Sequence, residues 1–311
     1  MKYLILYPDM SRNHACHLEW YLREVVRQHP GSAIYGKGRP GYDKNRPIAD
    51  VLRETGADVI LTAEGKYQGW HNDLAKCDAF RVHILGDYVP FKHQIILGDR
   101  ILDKDKYHLI FAQTDFELRE VAKRNQGEIV AYLPYSVDAN WFHRRMLPYS
   151  RPGLIRSIDV AFIGNQNRRV YPNRPVVKGF IEDGLPWRLY TDQVFDEDYL
   201  LTMCDTKIFL ISNSRFKALV IKYWEAMASG AMVLADRPDD LDTDWHRGLI
   251  PGVHLVLYDG LDDMRCKIDH YLNHDTERLK VAEAGQKHCL ENCTNETRVK
   301  QMHKTIMGCI R

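Results

Sequence analysis

The sequence predicts an α/β protein of two parallel-sheet domains followed by a helical tail, on three observations. Short β-branched or aliphatic runs alternate with amphipathic stretches almost from end to end, the pattern of βαβ units. At 311 residues the chain is long for one core and comfortable for two. Between Arg144 and Ser157, RRMLPYSRPGLIRS breaks the periodicity with two prolines and a glycine and reads as the linker.

YLILY (3–7) opens the first series. HLEWYLREVVRQ (17–28) follows with Leu18, Tyr21, Leu22, Val25 and Val26 on one helical face, and His29-Pro30-Gly31 ends it. SAIYG, DVILT, FRVHIL, LIFAQ and EIVAYL are the next strand candidates, which assigns residues 1–145 to the first domain. The second series, residues 146–290, holds DVAFI (159–163), WRLYT (187–191), KIFLIS (207–212), AMVLAD (231–236) and HLVLY (254–258). From Leu261 onward Leu272, Leu279, Val281, Ala282, Ala284, Cys289 and Leu290 recur at helical spacing. Residues 291–311 read as a last helix that packs back toward the first domain.

Hydrophobic residues make up 45% and charged residues 27%, too apolar for a disordered chain. The longest apolar runs, such as IFLI at 208–211, are strand-length, so no membrane span is expected. MKYLILYPDM reads as a first strand rather than a signal peptide, which points to a cytoplasmic protein, bacterial or acting in the host cytoplasm if phage-encoded. The seven cysteines are odd in number and scattered, as reduced thiols are. Cys289 and Cys293 lie beside His288 without a second ligand pair at zinc-site spacing, so no metal is expected. A net charge of +1 gives no global push toward nucleic acid. From Arg144 to Lys178, however, eight basic residues face the single acid Asp159, which fits either a negative ligand nearby or a solvated linker.

In KALVIKYWEAMASGAMVLAD (217–236) a helix with Leu219, Tyr223 and Met227 on its apolar face ends at Ser229-Gly230, with the glycine as its C′ residue. Glu225 sits among apolar neighbours, and a carboxylate there needs a partner. That partner is a ribose diol or, on a half-exposed face, Lys222 at i−3. A helix beginning near Lys217 aims its N-terminal amides at a ligand, with Lys217 and Lys222 in support, although Lys217 also fits a solvent-facing charge. Gly164-Asn165 follows a strand and is trailed by Arg168 and Arg169, with Lys178-Gly179 opening the next segment. Free backbone N–H groups beside such cations hold a diphosphate, and the alternative is a surface turn. Tyr190, near the close of WRLYT, is a further ligand candidate of the second domain.

In the first domain DMSRNH (9–14) leaves strand one, where α/β folds place ligands. Ser11, Arg12, Asn13 and His14 are therefore candidates for an acceptor or for phosphates, with His14 a catalytic candidate that equally fits the N-terminal turn of the following helix. HILGDYVPFKH (83–93) also leaves a strand. Asp87 is the better candidate there to receive an acceptor's proton, and Tyr88 is a candidate acceptor wall, although aromatic residues at this spacing are more often core. His83 alternates within an apolar run and reads as a core histidine.

The 217–236 stretch resembles the C-terminal half of the donor-site signature of group 1 GT-B glycosyltransferases: two glutamates separated by seven residues, then A-M-A-x-G. Glu225 matches the second glutamate, which in that family holds the nucleotide's ribose. The first falls at position 217, where this chain has Lys217. YLPYSVDANWF (132–142), DVAFIGNQNRR (159–169) and the segment 256–298 extend the resemblance, which is closest to the CgeB-like, spore-maturation-like and phage-encoded branch. It implies two Rossmann-like domains facing across a cleft. It further implies metal-independent transfer of a hexosyl or pentosyl group from a nucleotide sugar, UDP-sugar foremost, with no separate cofactor. The acceptor class stays open among glycan, lipid, protein, small molecule and a hydroxymethylated DNA base. A nucleotide-sugar epimerase and a non-catalytic nucleotide-sugar-binding protein are the alternative readings.

Overall fold

The computed structural model describes residues 1–10, 17–63, 73–86, 102–124, 127–139, 153–183, 186–194 and 196–310. The chain divides into two compact units, Met1–Pro134 with Asn295–Arg311 and Tyr135–Thr294.

In the first unit β1 (Tyr3–Leu6), β2 (Ala33–Tyr35), β3 (Val59–Ala63), β4 (Phe80–Ile84), β5 (Leu109–Ala112) and β6 (Ile129–Tyr132) form one parallel sheet in the order β2-β1-β3-β4-β5-β6. Such a sheet is covered on both faces, which is why its strands read as unbroken apolar runs rather than alternating ones. Tyr3 and Ile5 of β1 enter one core with Leu22 and Val25 of α1 (His17–Gln28). Leu4 and Leu6 enter the opposite core with Ile48 and Val51 of α2 (Ile48–Thr55). The helix α3 (Asp115–Ala122) starts with a full capping box, Thr114 and Glu117 satisfying each other's backbone amides. His83 is the core histidine that its alternation predicts: it is buried in β4, with Thr62 Oγ1 2.6 Å from Nδ1, and burial pushes its pKa down to about 3.

The second unit carries β7 (Ile158–Ala161), β8 (Leu189–Tyr190), β9 (Thr206–Ile211), β10 (Met232–Asp236) and β11 (Val256–Tyr258), all parallel, in the order β11-β10-β9-β7-β8. Between them run α4 (Arg174–Glu182), α5 (Asp196–Cys204) and α6 (Ile221–Ala228). After β11 come α7 (Gly260–Asn273) and α8 (Asp275–Asn292), and α9 (Asn295–Ile310) then joins the first unit, where Val299, Met302 and Ile306 enter the α1 core. Helix α8 lies on α6 and on the turn before β11: a Cβ on Gly285 would sit 3.5 Å from Met227 of α6 and 2.4 Å from the His254 carbonyl oxygen. The Cys289 thiol donates to the Trp224 carbonyl at 3.3 Å.

Strand order reverses between β7 and β9, because β8 lies to one side of β7 and β9 to the other. Ligands of open α/β sheets bind at the carboxyl ends of the strands at such a switch point. Among the described residues no helix is long and apolar enough to cross a membrane.

Candidate functional site

The carboxyl end of β7 runs through Phe162 and Ile163 into Gly164, whose φ of 152° favours glycine. Two side-chain turns then follow. Asn165 Oδ1 accepts from the Asn167 amide at 2.9 Å, and Asn167 Oδ1 accepts from the Arg169 amide at 3.0 Å. The chain re-enters helix at Arg174 with a proline in the first turn, as helix starts favour. The Arg174 guanidinium is buried beneath this turn. Its Nε donates to the Ser212 carbonyl and its Nη1 to the Asn165 carbonyl, both at 3.0 Å, and its Cζ lies 3.5 Å from the centre of the Tyr171 ring. From the other side Lys222 of α6 donates to the Ile163 carbonyl at 3.1 Å. A Cβ at position 164 would fall 2.8 Å from Arg174 Nη1 and 3.5 Å from Lys222 Cε, so the missing side chain lets both cations approach the turn.

Glu225 stands one helical turn beyond Lys222 and is half-buried. Its carboxylate accepts from the Tyr199 hydroxyl at 2.8 Å, while Lys222 Nζ sits 5.0 Å from the centre of the same tyrosine ring. Burial raises the Glu225 pKa, against the opposing pull of Lys222 and the Tyr199 hydrogen bond. Burial lowers the Lys222 pKa to about 8, with Glu225 pulling it up and Arg174 pushing it further down.

At the carboxyl ends of β9 and β10, Asp236 accepts from the Asn213 amide at 2.7 Å and Asn213 Nδ2 donates to the Asp236 carbonyl at 2.8 Å. The Tyr223 hydroxyl donates to Asn213 Oδ1 at 2.8 Å. Burial raises the Asp236 pKa. Beside these groups lies a cavity of about 670 Å³ whose walls include Ser212, Lys217, Asp236, Tyr258 and Lys267. Lys217 does not open the helix: α6 begins at Ile221, and Lys217 is an exposed loop residue with φ of 47°. That left-handed conformation is held by its amide donating to the Ser214 carbonyl at 2.9 Å and its carbonyl accepting from Asp239 at 2.7 Å. The expectation that helix amides begin at Lys217 is corrected accordingly.

The structure thus brings Gly164, Asn165, Lys222 and Glu225 to one end of the sheet. Arg168 and Arg169 are exposed on the turn after Asn165, and Tyr190 is half-buried at the end of β8, its carbonyl accepting from the Phe162 amide at 2.8 Å. Lys178 and Gly179 lie inside α4 rather than opening a segment, and Lys178 pairs with Glu182 at 3.6 Å. The basic run is also corrected. Arg156 is buried, donating to the carbonyls of Met203, Thr206 and Ser229 at 3.3, 2.8 and 2.9 Å, and Arg174 is buried as well. Arg144, Arg145 and Arg151 lie outside the described residues, as do Ser11, Arg12, Asn13, His14, Asp87 and Tyr88.

Arg174, in sequence only one cation of the basic run, and Tyr199, Asn213 and Asp236, which the sequence does not single out, also lie at this end of the sheet. The Asn173-Arg174-Pro175 helix start, twelve residues after β7 ends at Ala161, is the signal that could have marked Arg174. Tyr199 and Asn213 meet their partners only through tertiary packing.

Two parallel α/β domains of this topology are the architecture of GT-B glycosyltransferases. Three solved structures illustrate it. Anabaena Alr3699/HepE, solved with UDP and glucose, aligns at 14% identity over 99% of this chain and 100% of its own, with a TM-score of 0.64. Sucrose-phosphate synthase from Thermosynechococcus elongatus aligns at 12% identity over 100% and 99%, with a TM-score of 0.62. An alpha-glucosyltransferase solved with UDP and a 13-mer DNA containing a central A:G mismatch aligns at 9% identity over 98% and 99%, with a TM-score of 0.65. In sequence, residues 151–304 match the family described as glycosyl transferase-like. No curated protein sequence matches the chain.

Proposed function

We propose that the protein transfers a hexosyl or pentosyl group from a nucleoside diphosphate sugar, UDP-sugar foremost, to an acceptor hydroxyl. The donor is held at the carboxyl end of the second sheet. The observation that carries this reading is the Gly164 turn backed by Arg174 and Lys222, with Glu225 one helical turn further along α6. The diphosphate lies on the turn, and the ribose diol donates to Glu225. As the bond from the anomeric carbon to the diphosphate oxygen breaks, negative charge grows on the leaving group and the two cations stabilise it. That positive charge does the work that a metal ion would otherwise do. The anomeric carbon passes through an oxocarbenium-like state, and the acceptor's proton goes to a base of the first unit, for which Asp87 and His14 are the candidates.

The solved relatives that carry UDP support a uridine nucleotide. The motifs at 132–142, 159–169 and 256–298 support a place in the CgeB-like and phage-encoded branch. Glycans and small molecules head the acceptors. A DNA base has the DNA-bound alpha-glucosyltransferase in its favour, and against it stands the burial of Arg156 and Arg174, which removes two cations from the basic run. Incubation with a panel of nucleotide sugars, reading free nucleotide with and without acceptor, tests the proposal. Acceptor-dependent release supports transfer. Interconversion of the sugar without release points to an epimerase, and binding with neither to a non-catalytic protein. Duplex DNA binding that falls steeply between low and moderate salt would bring the DNA acceptor forward.

A further inference from the structure

Helix α6 carries two charged side chains, Lys222 and Glu225, and Tyr199 of the neighbouring α5 meets both. Its hydroxyl donates to one carboxylate oxygen of Glu225 at 2.8 Å, and its ring centre lies 5.0 Å from the Lys222 ammonium. Tyr199 is buried, and burial together with the Glu225 carboxylate raises its pKa well above the usual phenol value, so the hydroxyl keeps its proton. A phenylalanine would fill the same space. The hydroxyl therefore does something that packing does not require: it fixes the rotation of a carboxylate that retains accepting lone pairs for a second donor. The ring presents its negative face to a half-buried ammonium, which orders the lysine as well.

We infer that Tyr199 is a positioning residue of the donor site: its hydroxyl orients Glu225 toward the ribose diol and its ring steadies Lys222, so that the site selects ribonucleotides over 2′-deoxyribonucleotides. This rests on the donor-site reading above. Selectivity is the right readout, because a carboxylate locked in one orientation rewards two hydroxyls at fixed positions, whereas a rotating one accepts from a single hydroxyl nearly as well.

The test measures dissociation constants for UDP, GDP and ADP and for their 2′-deoxy counterparts, on the parent protein and on Tyr199→Phe, Tyr199→Leu and Glu225→Ala. The parent should prefer the ribonucleotide of its best-bound pair by roughly tenfold, the size of a hydrogen bond to a charged group. Tyr199→Phe should reduce that preference by roughly three- to tenfold, and should change nothing further in a Glu225→Ala background. Tyr199→Leu should also weaken both members of the pair, because Lys222 loses its ring. An unchanged preference in Tyr199→Phe, or an equal drop in the Glu225→Ala background, overturns the inference and leaves the donor site standing. A parent that binds none of the nucleoside diphosphates overturns the donor-site reading, and the role of Tyr199 with it.

Discussion

The two ends of the second sheet each bury an arginine from the same basic stretch of sequence, and they use it differently. At the amino ends of the strands Arg156 donates to three backbone carbonyls, of Met203, Thr206 and Ser229. Burial lowers its pKa to about 10, so it remains a cation at neutral pH. At the carboxyl ends Arg174 donates to two carbonyls and lies against a glycine turn, with Lys222 close by and Glu225 one turn further on. One arginine closes a structure, and the other backs the turn on which we propose the donor diphosphate lies. Position along the strands decides which, because only the carboxyl ends at a reversal of strand order offer a crevice with helix starts and strand ends converging on it.

The largest effects should come from the two arginines themselves. Arg156→Met leaves three carbonyls without their cation and should lower unfolding stability by about 3 kcal/mol in a denaturant titration, with nucleotide affinity per folded molecule unchanged. Arg174→Met should instead lower nucleoside diphosphate affinity by roughly a hundredfold in calorimetry. Equal affinity losses in the two variants would erase the distinction between the ends. Gly164→Ala pushes a methyl group against the Arg174 guanidinium without disturbing a core, and should weaken binding by roughly tenfold with only a modest loss of stability.

Lys222 sharpens the comparison through pH. Its pKa is lowered in the folded protein, from 10.5 to about 8, so between those values the unfolded chain binds more protons than the native one. Stability of the free protein should therefore rise with pH across that window. Affinity for the anionic nucleotide should fall as pH climbs through about 8, because Lys222 then loses its charge. Lys222→Arg should remove both trends, and a flat affinity profile in the parent would show that the ammonium does not face the phosphates. The smallest effect belongs to Lys178, engaged with Glu182 on a half-exposed face of α4. Lys178→Ala should leave nucleotide affinity within about twofold, the range of a surface pair.

Much of the fold is legible in the sequence because it depends on local pattern. The spacing of Leu18, Tyr21, Leu22, Val25 and Val26 marks α1 over His17–Gln28, the range that the structure gives it. The buried parallel strands announce themselves as aliphatic runs, and Gly230, with φ of 76°, ends α6 where a C′ glycine is expected. The site is less legible because its geometry is made by residues distant in sequence. Nothing local places Tyr199 against Glu225, or Arg174 beneath the loop after β7. Lys217 shows the other obstacle. A lysine among helix-forming neighbours reads as a helix start, and only the hydrogen bonds to Ser214 and Asp239 hold it in the left-handed region. Lys178 misleads in the opposite sense, since the glycine beside it suggests a turn while Val177 and Ile181 anchor a helix in the core.

A crystal structure of the protein with UDP would locate the nucleotide outright. The diphosphate is expected on the Gly164 turn, within hydrogen-bonding distance of Arg174 or Lys222, and the ribose hydroxyls on Glu225. UDP bound instead in the first unit's cavity of about 590 Å³, against His108 and Arg124, would contradict that placement.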